Sequence, residues 1–484
     1  MKKIKGISCD SRKINNGYIF VAIQGLKDDG NNYINEAINN GAQLIITDQE
    51  HKTLQDIKVP VLIVDNARKY LAKLTADFYN NPSQKLNIIG VTGTNGKTTT
   101  THLIYNLLNE QKKQAGIIGT VSVDNGNKLK KGHLTTPDTE QLQRLFSRML
   151  SNNLKYCSME VSSHGIKLMR TASTHFSFKI ATNITADHLD LHQSIKKYIN
   201  VKKSFLKDEN NIPVLINKDD KILSSLGKIA KNQLNYSINK NTVIKAENIN
   251  YKDNKIKFTY SLKKSLYSNN NKIKPIDFEI IMNLSGKHNI YNSLAAITVA
   301  LYYGIHPETI QHFFVKYKGL WRRFQKIYDK DFLVIDDCAH NPGSYEAVFS
   351  TIRKMNYNNL YIINAIRGNR GVAINKENAA VIATSLKNIE NNNLIITECK
   401  DLAKKDDLVT KREKENFLKI LNDYNQKNIY YNNFKKAISD TLNKVQKNDI
   451  ILLLGAHAMD KAGQITLKLL NHNNQEKSNT FYIK

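Results

Sequence analysis

The segment Gly90-Val91-Thr92-Gly93-Thr94-Asn95-Gly96-Lys97-Thr98-Thr99 combines glycines, a lysine and hydroxyls in an order suited to holding phosphate. Glycine lets successive backbone N–H groups turn toward phosphate oxygens, and the positive end of a following helix adds to them. On that reading Gly93, Thr94, Asn95, Gly96, Lys97, Thr98 and Thr99 bind the phosphates of a nucleotide. Lys97 reaches the outer phosphates and the Thr98 hydroxyl takes Mg²⁺. The spacing is not strict GxxxxGK[ST], because Val91 stands where the first glycine belongs. The competing reading is a glycine-rich turn carrying Gly-Lys-Thr by chance. An apolar strand before the loop (86–91) and a helix after it (102–109) favour the nucleotide site. A second cluster is Met159-Glu160-Val161-Ser162-Ser163-His164. Glu160 ends an apolar strand, where a carboxylate can share Mg²⁺ with nucleotide phosphates. Taken alone, such an acid is more often a cap or solvated. The Ser-Ser-His run suggests a nucleophile and base, but no nucleophile elbow frames it, so a hydrolase is rejected.

These groups need elements to hold them. Residues 1–85 alternate short apolar strands (18–23, 43–47, 59–64) with polar turns, and a helical stretch covers 33–40. Asn80-Asn81-Pro82-Ser83 reads as a linker. Residues 86–320 continue with buried-strand candidates at 115–121, 156–161, 178–183 and 213–217, a βα alternation that implies a doubly wound parallel sheet. Residues 243–284 interrupt it with strand-like alternation, read as an antiparallel insert. From 321 to 484 the βα grammar returns, with strands at 332–336, 360–366, 394–397, 429–431 and 450–454, a second Rossmann-like unit. The fold class is therefore α/β, in three domains.

The bulk numbers agree. A chain of 484 residues exceeds one ordinary core, and 41% hydrophobic with 24% charged residues is a globular composition. No apolar run is long enough for a membrane helix, and the start lacks the apolar stretch of a signal peptide. Four dispersed cysteines, Cys9, Cys157, Cys338 and Cys399, argue against a disulfide framework and fit a cytoplasmic location. The net charge of +28 raises nucleic acid as a partner. Its lysines are spread along the chain beside asparagines and isoleucines, which disfavours that reading.

Several segments, in order, resemble the Mur ligase family, which includes the folylpolyglutamate synthetases. Gly93-Thr94-Asn95-Gly96-Lys97-Thr98 is the family's form of the phosphate loop, which implies that the nucleotide is ATP. Asp10-Ser11-Arg12 followed by Gly17-Tyr18-Ile19-Phe20-Val21-Ala22 is similar to the N-terminal uridine-nucleotide domain of the MurE-type branch. Thr135-Thr136-Pro137, the Glu160 segment and Thr182-Asn183-Ile184-Thr185-Ala186-Asp187-His188 are similar to that branch's central P-loop ATPase domain. The resemblance implies a uridine-nucleotide contact at Ser11. It implies diphosphate-sugar contacts at Thr135, Thr136, Ser162 and Arg170, and a second metal ligand at His188. Lys202 aligns with the family's carbamylated lysine, a carbamate being an anion able to help bind Mg²⁺; Lys203 beside it leaves a one-residue ambiguity, with Lys202 favoured. Asn289 and Asn292 begin a helix, where asparagine is frequently a cap; the resemblance places them near adenine. Leu134 and Leu168 stand where the branch commonly has asparagine and glutamine.

In the last domain Trp321-Arg322-Arg323-Phe324-Gln325 and Asp336-Asp337-Cys338-Ala339-His340-Asn341-Pro342 are similar to the family's hinge and ribose-contacting loop. They imply Arg323 at the γ-phosphate and Asp337 at the ribose. These two segments look less like the MurE type than like other branches, the folate branch among them. Branch members that add diaminopimelate carry Asp-Asn-Pro-Arg after a strand ending in Thr-Ser. Here Thr397-Glu398 is followed by Cys399-Lys400-Asp401-Leu402, and Leu402 cannot grip a carboxylate as an arginine fork does. Arg367 and Arg370 are candidates to do so instead. The expected activity is an ATP- and Mg²⁺-dependent peptide ligase of cell-wall synthesis. It would join a free amino acid to a UDP-linked peptide of murein or pseudomurein type, as a monomer. A folylpolyglutamate-type ligase is the alternative, disfavoured by the uridine-nucleotide segment at 7–47. A nucleotide-gated scaffold is disfavoured by Glu160, His188 and Lys202 together.

Overall fold

The computed structural model describes residues 4–25, 28–50, 54, 57–185, 187, 189–208, 210–252, 255–268 and 272–480. Among them each third of the chain builds its own sheet. The first holds four parallel strands in the order β1 (Gly6–Ser8), β2 (Tyr18–Val21), β3 (Ala42–Thr47) and β4 (Val61–Ile63). Its two faces are covered separately, around Phe20 and Ile45 on one side and Ile19 and Val21 on the other.

The central sheet contains β5 (Asn87–Thr92), β6 (Ala115–Ile118), β7 (Val123–Asp124), β8 (Tyr156–Glu160), β9 (Phe178–Ala181), β10 (Val214–Asn217), β11 (Gln233–Ser237), β12 (Ile244–Lys252) and β13 (Lys255–Leu262). A small ribbon, β14 (Leu266–Tyr267) with β15 (Lys272–Ile273), precedes its last strand, β16 (Ile276–Met282). The order β16-β13-β12-β11-β10-β9-β5-β8-β6-β7 puts β5 between β9 and β8, buried on both faces. Apolar runs such as Asn87–Thr92 fit that position, since a parallel strand covered twice needs no alternation. Helices Lys97–Glu110 and Lys287–Tyr302 pack on one face and Thr139–Ser151 and Ile195–Leu206 on the other. The segment expected as an antiparallel insert does not interrupt this sheet. β12 pairs in parallel with β11, and β13 and β16 then extend the edge antiparallel.

The third sheet runs β17 (Gln325–Asp329), β18 (Leu333–Asp337), β22 (Ile450–Leu454), β19 (Leu360–Ala365), β20 (Asn392–Thr397), β21 (Asn428–Tyr431). All pairs are parallel except β17 with β18, and β17 has no counterpart in the sequence reading. The expectation of three α/β units therefore holds. No helix among the described residues is long and apolar enough to cross a membrane.

Candidate active site

β5 delivers the chain into the phosphate loop, and two glycines make the turn possible. Gly93 has φ +150°, and a Cβ there would lie 1.9 Å from the Thr182 hydroxyl. Gly96 has φ +86°, with Asn292 Oδ1 2.5 Å from where its Cβ would stand. Both conformations favour glycine. The helix Lys97–Glu110 starts at the loop's lysine, five residues earlier than the sequence suggests. Thr98 to Thr101 are β-branched and read poorly as helix, but the Thr101 hydroxyl bonds back to the Lys97 carbonyl at 3.0 Å.

The segment after β9 backs the loop. Thr94 N–H donates to the Asn183 carbonyl at 2.8 Å and Asn95 N–H to Asn183 Oδ1 at 2.9 Å. The Asn95 carbonyl in turn accepts from the Thr182 hydroxyl at 2.6 Å and Asn183 Nδ2 at 2.9 Å. Lys97 Nζ is folded onto the Gly93 and Thr94 carbonyls at 2.8 and 2.9 Å, poised at the mouth of the loop. Glu160, at the end of β8, is fully buried. It accepts from the Thr98 hydroxyl at 2.8 Å and from Thr120 N–H at 2.7 Å, and Gly119 leaves room for it. A carboxylate and a hydroxyl side by side, both hard oxygen donors, fit a Mg²⁺ ion. His188 lies outside the described residues. Lys202 is 1% exposed, not a surface lysine. Its Nζ donates to the Gly93 carbonyl at 2.9 Å, and burial with Lys97 nearby drives its pKa well below the ordinary lysine value.

The predicted sugar-phosphate contacts form one hydrogen-bonded run leading away from Glu160. The Thr135 hydroxyl meets that of Thr120 at 2.9 Å, and the Thr136 hydroxyl donates to the Glu160 carbonyl at 2.9 Å. Ser162 caps the helix Ser163–Lys167, and Arg170 donates to the Thr136 carbonyl at 2.8 Å while pairing with Asp138. Ser11 lies apart, in the first sheet's unit, its hydroxyl donating to Glu36 at 2.8 Å.

The third domain closes the opposite wall. Arg322 and Phe324 both hold φ +51°, a strained conformation for side-chain-bearing residues, on either side of Arg323. Arg322 turns inward to Asp336 and Asp460. Arg323 reaches across to the Thr98 hydroxyl at 3.3 Å. Asp337 accepts from Phe324 N–H at 2.6 Å, and burial pushes its carboxyl up to about 6. His340 is pushed down to about 4 by burial and by Arg367, so its imidazole is neutral at pH 7. Asn289 and Asn292 sit inside the helix Lys287–Tyr302, whose cap is Gly286, and the two amides touch at 3.4 Å.

One cavity of about 440 Å³ is lined by Thr94 to Thr99, Thr135, Glu160, Asn289, Asn292, Arg323, Asp337, Arg367 and Arg370. Gly93, Thr136, Ser162, Arg170 and Lys202 stand just behind or beyond that lining, and Ser11 is outside it. Thr120, Asn183, His340, Asn341, Asp407 and His457 belong to the site and were not singled out from sequence. Asn183, His340 and Asn341 fall inside family-like segments, which is the signal that could have found them; Thr120 and Asp407 carry none.

Three family descriptions match in turn: "Mur ligase family, catalytic domain" over 3–79, "Mur ligase middle domain" over 91–300 and "Mur ligase, glutamate ligase domain" over 322–457. The chain is 32% identical over 468 residues to the UDP-N-acetylmuramoyl-L-alanyl-D-glutamate--2,6-diaminopimelate ligase of Clostridium botulinum, covering 94% of this chain and 90% of that protein. Its fold is similar to crystalline MurF from Acinetobacter baumannii, with TM-score 0.68, 18% identity, and 97% and 94% of the two chains covered. It is also similar to a pseudomurein peptide ligase type C from Methanothermus fervidus, with TM-score 0.58, 20% identity, and 88% and 87% covered. The chain belongs to the Mur ligase family.

Proposed function

We propose that this protein is an ATP-dependent ligase that adds an amino acid to a UDP-linked peptide through an acyl phosphate, in cell-wall peptide synthesis in the cytoplasm. The observation that carries the reading is the meeting of Lys97, Glu160 and Arg323, from two domains, around one cavity. Phosphoryl transfer is mostly positioning and charge stabilisation, and these groups supply both. The proposed units are 1–85 for the UDP end of the substrate, 86–320 for ATP and 321–484 for the incoming amino acid.

In the proposed reaction the peptide's terminal carboxylate takes the γ-phosphoryl group of ATP. Lys97 leaves its two loop carbonyls for the phosphates, while the N–H groups at the start of Lys97–Glu110 face them. Arg323 offsets charge that develops on transfer. ADP is the leaving group of that transfer. The neutral amine then attacks the acyl carbon, forming the C–N bond as the C–O bond to phosphate breaks, and the surplus amine proton goes to the departing phosphate. Thr98, Glu160, His188 and a carbamate on Lys202 would hold Mg²⁺, which would supply further charge neutralisation at the phosphates. Burial and the nearby Lys97 lower the pKa of Lys202 well below the ordinary lysine value, which raises the share of free amine able to attack CO₂ and supports carbamylation of Lys202. Asn289 and Asn292 serve adenine and Asp337 the ribose. Ser11, Thr135, Thr136, Ser162 and Arg170 serve the UDP-sugar half, and Arg370 the incoming amino acid.

That amino acid is proposed to differ from diaminopimelate. Leu402, partly buried, packs against the core and offers no cation, and Asp401 is engaged with the backbone N–H groups of Phe434 and Lys435. The test is phosphate release with ATP, Mg²⁺ and UDP-linked peptides of murein and pseudomurein type, crossed with amino acids. Turnover requiring one UDP-peptide and one amino acid names the substrates. No turnover in any pairing would overturn the cell-wall assignment.

A further inference from the structure

We infer that Arg367 is a positioning residue, whose ion pair with Asp187 couples seating of the third domain to the shape of the phosphate loop. Arg367 follows β19, and its side chain is 9% exposed. Its Nη1 lies 3.2 Å from Asp187 Oδ1, while Asn341 Nδ2 lies 3.4 Å from Asp187 Oδ2. Each oxygen of this buried carboxylate thus takes a donor from the third domain. The same Asn341 amide exchanges hydrogen bonds with the Asn95 amide of the phosphate loop, at 3.2 and 3.3 Å.

Asp187 ends the segment that shapes that loop. Thr182 and Asn183 hold both backbone groups of Asn95, and Thr185 N–H donates to the Thr94 hydroxyl at 2.9 Å. Asp187 also acts electrostatically on Lys97 and Lys202. A buried carboxylate that loses a partner is strongly destabilised. With the third domain swung away, Asp187 is left to act on Lys97 and Lys202, two lysines that the reaction needs. With it seated, Arg367 and Asn341 hold the carboxylate, and Lys97 is left to the phosphates. Arg367 therefore acts through Asp187, and not by gripping the incoming amino acid's carboxylate.

The kinetic arm of the test rests on the ligase reading; a scattering arm does not. Turnover is measured for wild type, Arg367→Ala, Arg367→Lys, Asp187→Asn and the double variant Arg367→Ala/Asp187→Asn, varying ATP and the amino acid separately. Arg367→Ala is expected to lower kcat about thirtyfold, the scale of coupled charged partners, with both KM values nearly unchanged. Arg367→Lys should recover part of the loss, and the double variant should be no worse than the poorer single. A rise confined to the amino acid's KM, or losses that multiply, would overturn the inference. Small-angle scattering with a non-hydrolysable ATP analogue should show wild type compact and Arg367→Ala more extended. Equal radii would overturn it even if no substrate pair turns over.

Discussion

β5 and β20 each feed a loop from the carboxyl edge of a parallel sheet, and the two loops use their polar atoms in opposite ways. After β5 the polar groups line a cavity: Lys97, Thr98 and Thr99 face the site, and Asn183 braces the loop backbone from behind. After β20 they are turned into the protein. Glu398, 2% exposed, is held by Lys414 at 3.0 Å, by Lys400 at 3.3 Å and by the Tyr430 hydroxyl. Cys399 is buried against Met459, and Asp401 engages the start of the helix Phe434–Leu442. The first loop is built for a ligand and the second for the domain itself. The strand and its place in the sheet stay while the polar groups after it are taken up by bonds within the domain.

The sharpest break of this contrast is Lys97→Ala. Removing a preorganised positive group at the transferring phosphate should lower kcat by about a thousandfold. The melting temperature should hold, because among the described residues the Lys97 ammonium hydrogen-bonds to two carbonyls of its own loop. Full ligase activity in that variant would sink the assignment of the loop.

Lys202→Met comes next, because here the same residue works for the site and against the fold. Turnover should fall about a hundredfold, as for loss of a metal's supporting ligand. Stability should move the other way. The folded pKa of Lys202 lies below its ordinary 10.5, so between those values the unfolded state binds the extra proton. Wild-type stability from this group is fully present above 10.5 and is lost as the pH falls through the folded pKa. The variant should therefore be more stable than wild type at pH 7, with the gap closing toward pH 10 or with added bicarbonate. Denaturant titrations across that pH range decide it. A variant less stable at every pH would show that the lysine supports the fold.

Glu398→Gln tests the other loop. Weakening a buried carboxylate's bonds to two lysines and a tyrosine should cost about 1–3 kcal/mol in chemical denaturation. The KM values for ATP and the amino acid should stay at wild-type levels. A selective change in the amino acid's KM would mean that this loop still reads the substrate.

The contrast also explains what the sequence could disclose. The phosphate loop was legible because its chemistry is contiguous: glycines, Lys97 and Thr98 act within a few residues of one another. Glu160 was legible as an acid ending an apolar strand. Thr120 was not, since its bond to Glu160 depends on β6 and β8 lying side by side. Asn341 was not given a role, because its meeting with Asn95 spans two domains. The missing arginine after β20 was readable, but the inward turn of Glu398 was not, because it depends on Lys414 and Tyr430 folding back beside it. β17 escaped notice as a short antiparallel edge strand whose pairing is broken by a shift between Lys326 and Tyr328.

If the loop after β20 has left the site, specificity must come from its neighbour after β19. Arg370 lines the cavity with its guanidinium 3.8 Å from Asp407 and about a third of its side chain exposed. The loop beneath it is fixed independently. Glu413 accepts from the N–H groups of Asn369, Arg370 and Gly371 at 3.1, 2.9 and 2.8 Å, so shortening the side chain should leave the backbone in place. Arg370→Ala should raise the amino acid's KM by about tenfold, the worth of one charged hydrogen bond, and leave the KM for ATP alone. An unchanged KM would move the reading of the amino acid to Asp407 or His457, the other groups on that wall. A parallel rise in the KM for ATP would instead place Arg370 among the nucleotide's contacts. Either result would redraw the line between the half of the cavity that serves ATP and the half that chooses the amine.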